Sequence, residues 1–119
     1  KKIPFYLKRS DALIHIAKIE SCSNAVVESL VSGLPVITNN VGGTKELVRD
    51  NGIVLNLDKK ILFNKKFFSE YKWDKLILSK GLKKIVKFKR KKNEKLLPKN
   101  ITKKYYNFFQ KILNDENKI

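Results

Sequence analysis

Two carboxylates, Glu20 and Glu28, bracket the run Ser21-Cys22-Ser23-Asn24-Ala25-Val26-Val27. Small polar residues giving way to small apolar ones read as a loop turning into a helix, with Ser23 or Asn24 as its cap. The first amides of a helix have no intrahelical acceptor, and the helix dipole is positive at that end. The stretch Ser23–Val26 therefore attracts a phosphate group. Carboxylates are poor phosphate ligands but good acceptors for the hydroxyl donors of a sugar. A helix end that seeks phosphate beside two acids that seek hydroxyls suits a sugar nucleotide. Glu20 precedes the helix and Glu28 lies about one turn into it, so the surrounding elements must bring the two acids to one site.

Those elements read as alternating strands and helices. Pro4–Arg9 ends a short helix, and Ala12–Ala17, apolar but for His15, reads as a strand buried on both faces, as in a parallel sheet. Ala25–Ser32 is helical, Gly33 is its C-terminal cap and Pro35 stops it. Val36-Ile37-Thr38 is the next strand, and Asn39–Gly43 is a loop at its carboxyl end, where open α/β sheets place their ligands. Thr44 caps a short helix through Arg49, Asp50-Asn51-Gly52 is a tight turn, and Ile53-Val54-Leu55 is a third strand. This βαβαβ order over residues 1–57 predicts an α/β fold. Residues 58–119 read as basic helices of the same domain, over 58–68, over 74–88, and from a cap at Thr102 to Leu113. In the last, Ile101, Tyr105, Phe108, Phe109 and Ile112 make an apolar stripe.

Length and composition narrow the class. The 119 residues leave room for one small domain, and Cys22, the lone cysteine, excludes a disulfide scaffold and fits a reducing compartment. No apolar run approaches the ~20 residues needed to span a bilayer. A chain opening on Lys1 with no methionine reads as part of a longer polypeptide. Of the +16 net charge, residues 1–57 carry seven Lys/Arg against five Asp/Glu, and residues 58–119 carry twenty against six. Such a tail reads as solvated surface, as a face for an anionic membrane, or as a nucleic-acid module. The basic residues are nearly all Lys, the poorer fork for phosphate, and nucleic acid is the least favoured of the three. One histidine and one cysteine offer no zinc spacing, there is no Asp-x-Asp pair for a metal–diphosphate complex, and no Gly-rich phosphate-loop motif occurs. His15 reads as a core histidine or a neighbour of the site, and Cys22 as an inert small residue.

Ser10-Asp11-Ala12 leading to Glu20, the Glu-x7-Glu spacing, Gly33-Leu34-Pro35-Val36-Ile37 and Val41-Gly42-Gly43-Thr44-Lys45-Glu46 together resemble the retaining GT-B glycosyltransferases of family 4, the glycosyl transferases group 1. The resemblance is dense over residues 3–57. It implies a Rossmann-like parallel sheet, the C-terminal half-domain of a GT-B fold, followed by basic helices. It also implies transfer of a hexose from a nucleotide diphosphate-sugar to a glycan or lipid-linked acceptor in cell-envelope polysaccharide synthesis. No metal or other cofactor is expected, and the protein is placed in the cytoplasm, peripheral to the inner face of the membrane. At matched positions Glu28 resembles the glutamate that binds the ribose hydroxyls, and Glu20, the catalytic candidate, the one that orients the donor sugar. Ser21, Cys22, Ser23 and Asn24 match the loop whose amides face sugar and diphosphate, and Ala25 and Val26 the start of the helix. Gly42 and Gly43 serve backbone conformation.

The chain departs from the pattern at Ile16-Ala17, where Pro-Ser is usual, and at Ser21, which replaces a glycine. The family's cationic diphosphate clamp, its base-binding segment and its acceptor-binding N-terminal domain would precede Lys1, and Lys8 and Arg9 do not match the clamp. The expectation is part of a donor site, inactive alone. An epimerase or phosphorylase of the same fold, or an inactive remnant, is the rival reading.

Overall fold

The computed structural model describes residues 2–17, 19–56 and 75–116. The helix expected over residues 58–68 lies outside them. Three short strands, β1 (Leu13–His15), β2 (Val36–Asn39) and β3 (Gly52–Leu55), form a sheet in the order β1-β2-β3 with every pair parallel. Leu13 lies opposite Val36, and Ile37 opposite Ile53. The connections carry α2 (Asn24–Val31) and α3 (Thr44–Val48), after an opening helix α1 (Ile3–Arg9). Downstream come α4 (Lys75–Ile85) and α5 (Pro98–Glu116). This is an α/β, Rossmann-like arrangement, as the alternation of the sequence predicts.

The central strand explains the layering. All four β2 residues are buried, and because successive side chains alternate between faces, each face seeds its own core. Val36 packs with Val26 and Leu30 of α2 and Val48 of α3. Ile37, on the opposite face, packs with Leu55 and with Ile85 of α4. Gly81 lets α4 settle onto that face, where a Cβ would meet Leu55 at 3.1 Å. Burying each aliphatic side chain contributes about 1.5–3 kcal/mol.

The chain joints follow from local chemistry. α2 ends in a Schellman turn: Gly33, at φ +81°, donates to the Leu30 carbonyl (3.1 Å), and Leu34 donates to Ser29 (2.9 Å). The basic segment before α5 is tied back to the fold, with the Asn93 amide donating to the Leu30 carbonyl (2.9 Å) and Lys91 to Gly33 (3.2 Å). Arg90 Nη2 donates to the Leu7 carbonyl (2.8 Å) and to that of Ser10, satisfying the carbonyl end of α1. In the sequence this segment reads only as part of the basic run over residues 58–119. Its lone arginine among lysines was the available signal, since a guanidinium fork can hold two carbonyls.

Several expectations need correction. The first strand covers Leu13–His15 rather than Ala12–Ala17, and it is not buried on both faces: α4 packs over β2 and β3, leaving Ile14 on the edge strand 49% exposed. Gly43, not Thr44, takes the cap position of α3, and the Thr44 hydroxyl is buried without a hydrogen-bond partner. Helix α4 stops at Ile85, short of Phe88. Helix α5 opens at Pro98 rather than at a Thr102 cap, and Thr102 lies inside it. A proline has no amide to leave unsatisfied in a first turn, and the 3-10 turn Glu94–Leu96 delivers the chain there, with Asn100 Nδ2 donating to the Glu94 carbonyl (2.6 Å).

Leu30 joins α2 to the sheet and is fully buried. Leu30→Ala should lower the unfolding free energy by about 2–5 kcal/mol, whereas the exposed Phe109→Ser should change it by about 0.5 kcal/mol or less. Urea titration checks both.

Candidate functional site

β1 and β2 end side by side, and their carboxyl ends open onto two loops, one with described residues 16–17 and 19–23 and the other over 40–43. Asn39, the last residue of β2 and 1% exposed, ties the first loop to the sheet. Its Nδ2 donates to the Ala17 carbonyl (2.6 Å), and its Oδ1 accepts from the Ala17 amide (3.2 Å). A second stitch follows four residues on. The Gly43 amide donates to the Ser21 carbonyl at 3.0 Å. Gly42, at φ +58°, lies so close to Glu20 that any Cβ would invade the Glu20 carbonyl, and a Cβ at Gly43 would meet the Ser21 oxygen at 2.7 Å. The backbone of Glu20 and Ser21 is thus held by contacts that only glycine permits.

Glu20 is partly buried, and its Oε2 lies 3.5 Å from His15 Nε2, an atom that is itself buried and has no hydrogen-bond partner. His15 is therefore a neighbour of the site rather than a core residue. Ser21 and Cys22 are exposed in the loop, and Ser23 takes the N-cap position of α2. Ser23 caps through position alone, for its side chain makes no cap hydrogen bond; its carbonyl accepts from Val27 (3.1 Å). Helix geometry leaves the amides of Asn24, Ala25 and Val26 without intrahelical acceptors. Asn24 and Ala25 are exposed, whereas the Val26 side chain is fully buried, so Val26 has only its main chain to offer a ligand. Glu28 stands exposed one turn into α2.

Between the two carboxylates the loop thus exposes the Ser21 and Cys22 side chains and leads, through the buried Ser23, to the free amides of the helix start. A cavity by Gly33, Asp50 and Lys91 and another of about 330 Å³ by Asp11, Phe88 and Arg90 include neither Glu20 nor Glu28 in their walls. Among the described residues no group of three or more His, Cys, Asp or Glu side chains is placed to hold a metal.

With this geometry in place, the family model for glycosyl transferases group 1 matches residues 1–96. The chain belongs to the group 1 glycosyl transferases. No curated protein and no solved structure matches it. Membership makes glycosyl transfer its general chemistry. The matched residues run from α1 to the turn before α5, so the stitched loop is part of the family's domain and α5 follows it. Among the described residues no helix is long and apolar enough to cross a membrane.

Sequence reasoning missed Asn39, which it placed in a loop. The signal was a polar residue closing the apolar run Val36-Ile37, at the strand end where a ligand loop must be anchored. Asn39→Ala should cost about 1–3 kcal/mol, because the Ala17 amide and carbonyl both lose their partner. Asn39→Asp keeps an acceptor for the amide but turns a second oxygen on the carbonyl, and should cost at least as much. A urea midpoint unchanged in both variants contradicts the clamp.

Proposed function

We propose that this chain is the donor-binding part of a retaining glycosyltransferase, moving a hexose from a nucleotide diphosphate-sugar to an acceptor hydroxyl. The observation that carries the reading is the double stitch, Asn39 to Ala17 and Gly43 to Ser21, which holds the Glu20 backbone next to the start of α2. A loop so anchored can offer amides at fixed positions, which is what a diphosphate requires.

In this reading the amides of Ser21–Val26 face the sugar and diphosphate, Glu28 accepts from the ribose hydroxyls, and Glu20 accepts from the hexose and orients its anomeric carbon. As the glycosidic bond to the diphosphate breaks, negative charge grows on the departing oxygen. The amides and dipole of α2 already point there and need no reorganisation, so they stabilise the transition state more than the ground state. The hexose keeps its anomeric configuration and joins the acceptor oxygen, whose proton leaves. The donor is a substrate, and no cofactor enters. In this reading the cationic clamp and the segment that holds the base lie outside these 119 residues, as does the N-terminal domain that binds the acceptor, a glycan or lipid-linked hydroxyl of envelope polysaccharide synthesis. We place the reaction in the cytoplasm, at the inner face of the membrane, in keeping with a lone unpaired Cys22.

Titration of nucleotide diphosphate-sugars into the chain joined to that domain tests the assignment. Glu28→Ala should weaken donor binding about tenfold or more, the loss expected for a hydrogen bond to a charged group. Its thermal midpoint should hold, because Glu28 is exposed. Duplex DNA should not displace the donor. Equal donor affinity in variant and parent, or displacement by DNA, contradicts it.

A further inference from the structure

His15 is the chain's single histidine, and the donor-site reading gives it no task. It lies on β1 opposite Thr38 of β2, so the sheet fixes its main chain. Successive strand side chains alternate between faces, and Leu13, two residues earlier, packs against the core that α2 covers. His15 therefore points to the α2 side, toward the loop that carries Glu20. Its Nε2 is enclosed by protein, has no hydrogen-bond partner, and stands 3.5 Å from Glu20 Oε2. Polar atoms enclosed without a partner are rare in folded proteins, and each calls for a reason. The neighbouring polar side chains are committed elsewhere. The Thr38 hydroxyl turns to the Asn39 carbonyl at 3.5 Å, and Asn39 holds Ala17 with both ends of its amide. Among the described residues the Glu20 carboxylate has no hydrogen bond or ion pair besides this approach to His15.

We propose that His15 is a positioning residue: it donates from Nε2 to Glu20 Oε2 and holds that carboxylate in the orientation the hexose meets. The inference rests on the donor-site reading, which assigns Glu20 to the hexose. The stitches at Ala17 and Ser21 fix the main chain on either side of Glu20. A glutamate side chain turns about further bonds, however, which main-chain contacts do not restrain. A charge-assisted hydrogen bond from a histidine on a strand supplies that restraint. At 3.5 Å the pair is poised short of the ~2.9 Å of a made N–H···O bond, and such contacts commonly tighten when substrate arrives. Both side chains are largely shielded, 22% and 24% exposed, so water competes weakly for either partner. A carboxylate accepts at both oxygens. With Oε2 taken by His15, Oε1 is left for a hexose hydroxyl, and Glu20 presents one oxygen at one place. His15 acts through Glu20 and touches no substrate atom.

The 119-residue chain tests the pairing without a ligand, because one histidine gives one set of imidazole NMR signals. Nε2 should carry its proton in the parent, and its nitrogen signal should move in Glu20→Ala but not in Glu28→Ala. A signal unmoved by Glu20→Ala, as a water on Nε2 would leave it, overturns the proposal. In the chain joined to the N-terminal domain, the readout is release of nucleoside diphosphate from the nucleotide diphosphate-hexose selected by the titration above, with water as acceptor. His15→Leu should lower kcat about tenfold or more and leave donor affinity near the parent's, since it misplaces a group at the reacting centre without removing a binding one. His15→Gln returns an N–H donor near the Nε2 position and should recover most of that loss, even where the leucine variant is less stable. A residue of purely structural use would not divide kcat from affinity in this way. Parent turnover in His15→Leu, or a loss of affinity in place of kcat, overturns the positioning role. Undiminished donor affinity in Glu28→Ala overturns the donor reading instead, whether or not the imidazole signal responds to Glu20.

Discussion

Two stretches of main chain, Glu20-Ser21 and Gly42-Gly43, touch without a side chain between them, and the site depends on that contact. Loops at the carboxyl ends of parallel strands are ordinarily the parts of a fold with the most freedom. Here the Gly43–Ser21 hydrogen bond removes it, and neither glycine tolerates a Cβ in its place. Asn39 repeats the device one step nearer the sheet, using a side chain as a substitute ladder partner for Ala17 after regular pairing has ended. The buried β2 strand anchors both stitches. A polar residue at 1% exposure is tolerable there because both of its hydrogen-bonding ends are engaged.

Where local chemistry governs, residues could be read one by one. Gly33 and Pro35 announce the end of α2, and the Schellman turn sits where they place it; Val36-Ile37 reads as a central strand and is one. The failures share a cause. Ile14 reads as core because its neighbours are apolar, yet its burial depends on how far α4 extends across the sheet, which no local pattern states. Pro98 has two meanings, stop and start, and the turn Glu94–Leu96 selects the second. Thr44 has the right residue type for a cap, but Gly43, drawn against Ser21, takes the cap position instead. At the site, the order of Glu20, the small polar loop and Glu28 was legible, whereas the Asn39 clamp joins residues 22 apart in sequence and only the folded chain reveals it.

The two halves differ in what they present to the surroundings. Residues up to β3 build a core on both faces of a sheet, while Ile14 and the loop residue Ile19 stay exposed. The segment after α4 is tied to that core by main-chain bonds from Lys91 and Asn93 and by the Arg90 fork, then releases a helix whose apolar side faces outward.

The most direct measurement is an amide-resolved NMR titration of the chain with a nucleoside diphosphate. The account holds that the diphosphate meets main-chain N–H groups of the stitched loop. It predicts shift changes concentrated at Ser21–Val26 and at Gly42 and Gly43, with α5 undisturbed. Changes confined to the lysines between α4 and α5, with the loop silent, would contradict it.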